Sequence, residues 1–357
     1  MARSFYIVFF IIFIVIPPEI FSQAGSSVYS FLDLPVSSRI GALGGTNVSL
    51  RDNDINFAFK NPAMLTNETG SVISINMASY LADIKYGSAV FGYNIDKKNY
   101  LAIGVQYVDY GDFLYADEYN NIRDAFLEEY QNNSDISGYY FTAKDMSLNM
   151  IYARSITDRI TVGGTLKPIF SVYEAYTSFG IAFDAGVNYI DSKGLFSAGF
   201  VLRNMGSQIK GYYSTEDGQH YESLPFDIQL GVTKKLEHAP LRLSMTLHNL
   251  QHWNLNYSSK NQSTSTGDSI SFTDMAFRHA IFSAEFVPSK NFYLIASYNH
   301  RRHQELSMDG FKSMAGFSFG GGIKLYKFQV GFGMSQFQLG VYSYQFSIST
   351  SLNEFRL

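Results

Sequence analysis

Between positions 39 and 62 the chain gathers residue types that often do chemistry. They are Arg39, the glycines Gly41, Gly44 and Gly45, the carboxylates Asp52 and Asp54, and the pair Asn61 and Pro62. Glycines beside an arginine suggest a phosphate cradle. A phosphate loop, however, needs a strand, then the glycines, then a helix opening on Lys-Ser/Thr, so that backbone N–H groups and an ammonium close on the phosphates. Here the glycines lead into Thr46, Asn47, Val48 and Ser49, which read as strand. A calcium loop needs twelve residues of spaced oxygen ligands ending in glutamate. The Arg51-to-Asp54 run has neither the length nor the glutamate, so it reads as a solvated turn. The glycines also have a mechanical use: without Cβ they let a chain turn tightly in a confined space, with bends fixed by Pro35 and Pro62. Neither a metal nor a cofactor is expected.

The other candidates for chemistry are the histidines His220, His238, His248, His252, His279, His300 and His303. His248 and His252 are four apart, a zinc spacing on one helix face, but here the pair straddles a strand end. Serine or aspartate paired with histidine at a barrel rim would suit a hydrolase, and His300, Arg301, Arg302 and His303 lie together beside Glu305. A solvated basic loop able to meet lipopolysaccharide phosphates is the preferred reading, so no catalytic residue is assigned and a lipid-modifying enzyme is the weaker alternative. Trp253, the single tryptophan, suits a partner contact or a membrane interface.

The elements that position these residues follow from composition and period. Only 16% of the 357 residues are charged, the net charge is −4, aromatics are 16%, and there are 29 glycines and no cysteine. Soluble domains average about 25% charged. Yet mean hydropathy is −0.05, and no run of about 20 apolar residues follows position 24, as a helical membrane protein would require. Residues 1–24 carry Arg3, an apolar run from Phe5 to Ile16, Pro17 and Pro18, and small residues before Ala24; this is the pattern of a cleaved export signal.

Downstream, apolar and polar residues alternate. Tyr342, Tyr344, Phe346 and Ile348 face one way, and Ser343, Gln345, Ser347 and Ser349 the other. Period two marks strands. About fourteen such segments follow Gly70, near 71–79, 84–95, 99–110, 144–155, 159–174, 178–190, 194–205, 225–235, 240–249, 276–287, 291–300, 311–323, 327–335 and 339–352. Connections after even strands are short (96–98, 156–158, 191–193, 236–239, 288–290), while 111–143, 206–224, 250–275 and 301–310 follow odd ones. Short turns at one rim and long loops at the other are the habit of outer-membrane barrels. The predicted fold is all-β, a transmembrane up-and-down antiparallel barrel of about fourteen strands. Its glycine-rich inner face carries few paired charges and suits close approach of another backbone. The domains are a signal at 1–24, an N-terminal plug or hatch at 25–70, and the outer-membrane barrel at 71–357.

The stretch from Val28 to Leu65 resembles the N-terminal signature of the PorQ-like proteins, outer-membrane components of the Bacteroidetes type IX secretion system. The matching residues are Tyr29, Phe31, Leu32, Leu34, Pro35, Ser37, Arg39, Ala42, Leu43, Gly44, Gly45, Asp52, Asp54, Asn61, Pro62, Ala63 and Leu65. The Asn-Pro-Ala element is shared with PorV-like and FadL-like barrels; where PorV-like chains carry Pro-Asp-Ala-Arg, this one has Pro35 to Arg39. The resemblance implies a FadL-like barrel that anchors a PorZ-like surface protein, with PorU- and PorV-like members, in a complex that cuts the C-terminal signal of cargo and joins the cargo to anionic lipopolysaccharide. It implies no nucleic-acid partner. Candidate partner-facing residues in the long loops are Tyr119, Phe126, Tyr213, Trp253, Arg301 and Arg302. The alternative is a FadL-like channel for fatty acids or other hydrophobic compounds, with residues 25–70 as a movable hatch.

Overall fold

The computed structural model describes residues 27–114, 140–215, 218–255, 271–306, 314–338 and 341–355. The expected export signal at 1–24, Tyr119 and Phe126 lie outside them. The strands are β1 (Val72–Ser79), β2 (Lys85–Asn94), β3 (Asn99–Leu114), β4 (Tyr140–Ser155), β5 (Ile160–Tyr173), β6 (Tyr176–Ile190) and β7 (Phe196–Lys210). They continue with β8 (Asp227–Lys235), β9 (Leu241–Leu247), β10 (Ala280–Ser289), β11 (Phe292–Asn299), β12 (Phe317–Leu325), β13 (Phe328–Gln338) and β14 (Val341–Ser351). Each pairs antiparallel with its sequence neighbours, and β1 pairs with β14 to close the barrel, setting Ile75 opposite Ile348 and Met77 opposite Phe346. Closure removes the unpaired edges that lipid would not tolerate.

Burial along each strand is inside out relative to a soluble protein. On β4 the outward Met146, Leu148, Met150 and Tyr152 are each at least 37% exposed, while Ser147 and Asn149 between them are fully buried. Burying an apolar side chain of this size is worth about 1.5–3 kcal/mol, so a wall that bares them all round is a wall meant for lipid. Polar residues collect on the inside because the chain fills its own interior.

Residues 28–70 hydrogen-bond inward-facing groups around most of the circle. Asn56 bonds Ser74 on β1, and Ser88 on β2 donates to the Val36 carbonyl. Arg203 on β7 donates to the Leu32 carbonyl, while Gln229 and Thr233 on β8 bond Thr46 and Ser49. Ser297 on β11 donates to the Ala42 carbonyl, and Ser347 on β14 accepts from the Ser38 amide. A segment with partners on so many strands stands inside their ring.

The expected strand segments match the observed ones, with shifts where tertiary pairing outlasts the alternation. β3 and β4 run on to Leu114 and back to Tyr140 past a bulge at Asp109/Asp112, and β7 reaches Lys210 past irregularities in its pairing with β6. The strand expected from 276 is a helix at first: α2 (Phe272–Arg278) is started by Ser271, whose hydroxyl accepts the Asp274 amide. The basic loop at His300 is α3 (His300–Leu306). The strand expected at 46–49 does not form; Asn47 Oδ1 accepts the amides of Ser49 and Leu50 and bends the chain instead.

A charge on the lipid face should expose this arrangement. Leu148→Arg, near the middle of the apolar band, is expected to lower folding stability in vesicles by about 2–4 kcal/mol, read from denaturant titration; Tyr152→Arg, nearer the rim, should cost less.

Candidate functional site

The interior segment is held by three clusters, each built from a residue of the segment and a charged or small residue of the wall. The first centres on Arg39, in the helix α1 (Ser38–Ala42), which Ser37 caps by accepting the Ile40 amide. Gly44 and Gly45 leave that helix at φ of +93° and +108°, the left-handed region glycine tolerates, and turn the chain back. The Arg39 guanidinium donates to Asp52 at 2.7 and 3.2 Å and to Glu285 of β10 at 3.0 and 3.2 Å, with Asp54 3.6 Å away. Arg242 of β9 approaches the same two carboxylates at 3.0 and 3.5 Å. The Phe57 and Tyr293 rings lie against the guanidinium at 5.2 and 4.8 Å. Asp52 and Asp54 are therefore not a solvated turn, as their sequence suggested.

Burial would raise the Asp52 carboxyl, but Arg39 and Arg242 outweigh it and hold it at about 2. For Asp54 burial outweighs Arg39, and its carboxyl stands above the usual aspartate range. Asp52 ionises more readily in the fold than in an unfolded chain, so its share of the stability is present above pH 3.8 and is lost as pH falls through about 2.

The second cluster is Asn61 with Pro62. The fully buried Asn61 donates from Nδ2 to the carbonyls of Val48 at 2.8 Å and Val187 at 3.3 Å. Its Oδ1 accepts the Ala63 amide and caps a turn with Pro62 in its first position. Opposite lies wall glycine: a Cβ on Gly199 would sit 1.8 Å from the Val48 carbonyl oxygen, and one on Gly333 would sit 2.4 Å from that of Ser38. No other residue fits such an approach. The expectation that the glycine-rich inner face meets another backbone is met here.

The third cluster is made of ions that the sequence reading did not anticipate. Lys60, completely buried, donates to the carbonyls of Leu34 at 2.9 Å and Asp33 at 3.3 Å. Burial first, and the positive charge of Arg203 second, hold its amine well below the usual lysine range. On the wall, Lys167 pairs with Asp184 at 2.6 Å, and Arg203 reaches the Asp33 carboxylate at 3.5 Å. The inner face thus carries more paired charge than expected. The available signal was strand parity: Glu285 and Arg242 both fall at inward positions of their alternating segments.

The structure therefore brings together Arg39, Asp52 and Asp54, places Gly41 in α1 against Gln345, and makes Asn61 and Pro62 a bracket. At the rim with the long connections, Tyr213 stacks on His220, and Trp253 lies between Phe272 and His279 at 5.0 and 5.4 Å. Arg301 pairs with Glu305. Arg302 departs from its expected outward role: it turns in over the Phe337 ring at 4.6 Å, a cation–π contact, and toward the Gly44 carbonyl. Among the described residues, no group of three or more His, Asp or Glu is placed to hold a metal.

No protein-family model matches the chain, and no curated protein matches it in sequence. Among solved structures it is similar to the TodX deltaS2S3 mutant, a monoaromatic hydrocarbon channel, at 10% identity over 88% of this chain and 96% of that one, with a TM-score of 0.50. It is also similar to the toluene transporter TbuX of Ralstonia pickettii (10% identity, 90% and 98% covered, TM-score 0.47) and to a Pseudomonas aeruginosa FadL homologue (10%, 88% and 98%, 0.48). The fold is that of the FadL-like outer-membrane barrels.

Removing Arg39 leaves Glu285 and Asp52 crowded without their main counter-ion. Arg39→Ala is expected to destabilise the seat of the segment by about 3–5 kcal/mol, seen as new protease cleavage within residues 28–70 of the detergent-solubilised barrel. Acid should act on the same seat: lowering pH from about 4 to 2 removes about 2 kcal/mol held by Asp52, so cleavage of the native chain should rise over that range and that of Asp52→Asn should not.

Proposed function

We propose that the chain is a non-enzymatic outer-membrane anchor, closed by residues 28–70 as a fixed plug, which presents its long-connection rim to a surface partner. The resemblance of the leading segment names the partners: a PorZ-like protein, with PorU- and PorV-like members, in the attachment complex of type IX secretion. The observation that carries this reading is the fit of the segment to its wall. Backbone carbonyls occupy the places where Cβ atoms of Gly199 and Gly333 would stand, and the ion pairs Arg39–Glu285 and Arg242–Asp52 join plug and strand. A part moulded and charge-paired to this degree suits a stopper better than a gate, since every paired charge would have to be uncovered on opening.

A second reading is favoured by the structural neighbours, which support it better than they support type IX secretion. It makes the chain a channel for hydrophobic compounds, with the same segment as a hatch, after the hydrocarbon channels whose fold it shares. The rim itself suits a partner in either case: Trp253 and Phe272 form an exposed stack, the kind of aromatic surface that anchors protein contacts.

One lock separates the two. Ser49 Oγ and Thr233 Oγ1 are 2.8 Å apart, and the chain has no cysteine of its own. Ser49→Cys with Thr233→Cys would therefore tie plug to wall by a single disulfide. In a deletion strain the tied protein is expected to restore cleavage of the cargo C-terminal signal as fully as the native chain does. Restored toluene uptake by the native but not the tied protein, with cargo processed normally in the deletion strain, would establish the channel instead.

A further inference from the structure

The lipid-facing wall carries a rung of charge that neither the barrel nor its filling uses. Followed through the register, it runs Ser79, Lys85, Asp109, Lys144, Val172, Thr177 across β1 to β6. Lys85 and Lys144 face outward, each beside an inward neighbour, Tyr86 and Asp145. On β7, Lys210 reaches back to the end of the rung and donates to Thr177 Oγ1 at 2.6 Å. From β1 to β6 the next rung toward the short turns is uncharged, Met77, Gly87, Tyr107, Met146, Phe170 and Phe179, and Phe179 stands opposite Lys210 itself on β7.

Chain geometry sets the depth of the charged rung. On β4, Lys144 and Arg154 are ten residues apart (154 − 144), and only Met146, Leu148, Met150 and Tyr152 face outward between them. At about 3.3 Å per residue and a tilt of about 40°, that is about 25 Å, the height of a barrel's apolar band. The ammonium groups therefore stand at the level of lipid headgroups, where a lysine lays its stem along the wall and lifts its charge out. Among the described residues neither Lys85 nor Lys144 has an ion-pair or hydrogen-bond partner. Asp109 between them commits Oδ1 to the Gly111 amide. Lys85 and Lys144 less Asp109 leave the rung with one net positive charge, and Lys210, which reaches Thr177 from the rung below, adds a second; in the interior, by contrast, carboxylates pair with the buried Arg39, Lys167 and Arg203.

We propose that Lys85, Lys144 and Lys210 hold the phosphates of the outer-leaflet glycolipid, the phosphorylated diglucosamine headgroup, against the β2–β7 flank of the barrel. The occupant follows from continuity, since the apolar rungs directly below are covered by the acyl chains of the same leaflet. The chemistry is that of compact ammonium charges meeting phosphate oxygens. The proposal rests on the rim with the long connections facing outward and is independent of cargo processing or hydrocarbon uptake.

The test uses the full chain in mild detergent, with diphosphorylated lipid A, dephosphorylated lipid A and phosphatidylglycerol as separate probes, and reads retained lipid and melting temperature. Diphosphorylated lipid A is expected to be retained and to raise the melting temperature, and each lysine neutralised among Lys85→Gln, Lys144→Gln and Lys210→Gln should weaken retention about fivefold. Lys144→Arg should keep it, and the opposite-rim pair Arg154→Gln with Lys234→Gln should not alter it. The three combined in one protein should abolish the preference for diphosphorylated lipid A, and the single Lys144→Gln protein serves if that triple variant folds poorly. Equal retention by native and Lys144→Gln protein, equal loss in the opposite-rim control, or no preference over phosphatidylglycerol would each overturn the site.

Discussion

Every strand of this barrel spends its apolar side on lipid, so everything on its other side must be satisfied without lipid and largely without water. That constraint shapes the rest of the molecule. A fourteen-strand ring is too wide for Gly, Ser, Ala and Asn side chains to meet across it, and buried polar groups left unpaired are costly. The chain resolves both needs with its own residues 28–70, which supply carbonyls, amides and charges to serines, asparagines and threonines that would otherwise line a void. The result is a core more polar than a soluble protein's, with apolar packing where Ile40, Leu43, Phe57 and Leu65 of the segment meet wall residues such as Val90, Ile151 and Ile295.

Charge placement follows from the same logic. Arg39 is almost wholly buried, yet it has two carboxylates in hydrogen-bond reach and aromatic rings against its guanidinium. One of those carboxylates, Glu285, belongs to the wall, so the pairing fixes where the segment sits around the ring as well as how firmly. Lys60 shows the other solution: it donates to two backbone carbonyls, and its amine binds its proton less readily than usual. Glycine supplies the remaining shape, because only a residue without Cβ leaves room for a carbonyl to press on the wall. Interior fit of this kind makes the segment part of the barrel's structure, and it is the ground on which a fixed plug is preferred to a swinging one.

The outer surface obeys different rules. Below the rim it is uniformly apolar, and its charged rungs lie about one apolar band apart. Above the rim, α2, α3 and the Trp253 turn gather aromatic and basic groups in one region, clasped by His300 and Arg278 on the Asp274 carboxylate at 2.8 Å each.

Strand number, strand parity and the alternation of short and long connections were all legible in the residues themselves, because a two-residue period and a bilayer's thickness leave little freedom. So were the turn at Gly44 and Gly45 and the bend at Pro62, whose chemistry is local; the hold of Asn61 on the Val187 carbonyl, 126 residues away, was not. Other features were not legible. That Asp52 is buried against Arg39 and that Arg302 points inward depend on Glu285, Arg242 and Phe337, which are distant in sequence and adjacent only once the ring has closed; that Thr46 to Ser49 bend rests on Asn47, whose side-chain oxygen competes with a strand ladder for the Ser49 and Leu50 amides. A pattern along a chain specifies which face a side chain takes; which opposite charge it meets across a closed wall is decided only when strands hundreds of residues apart are set side by side.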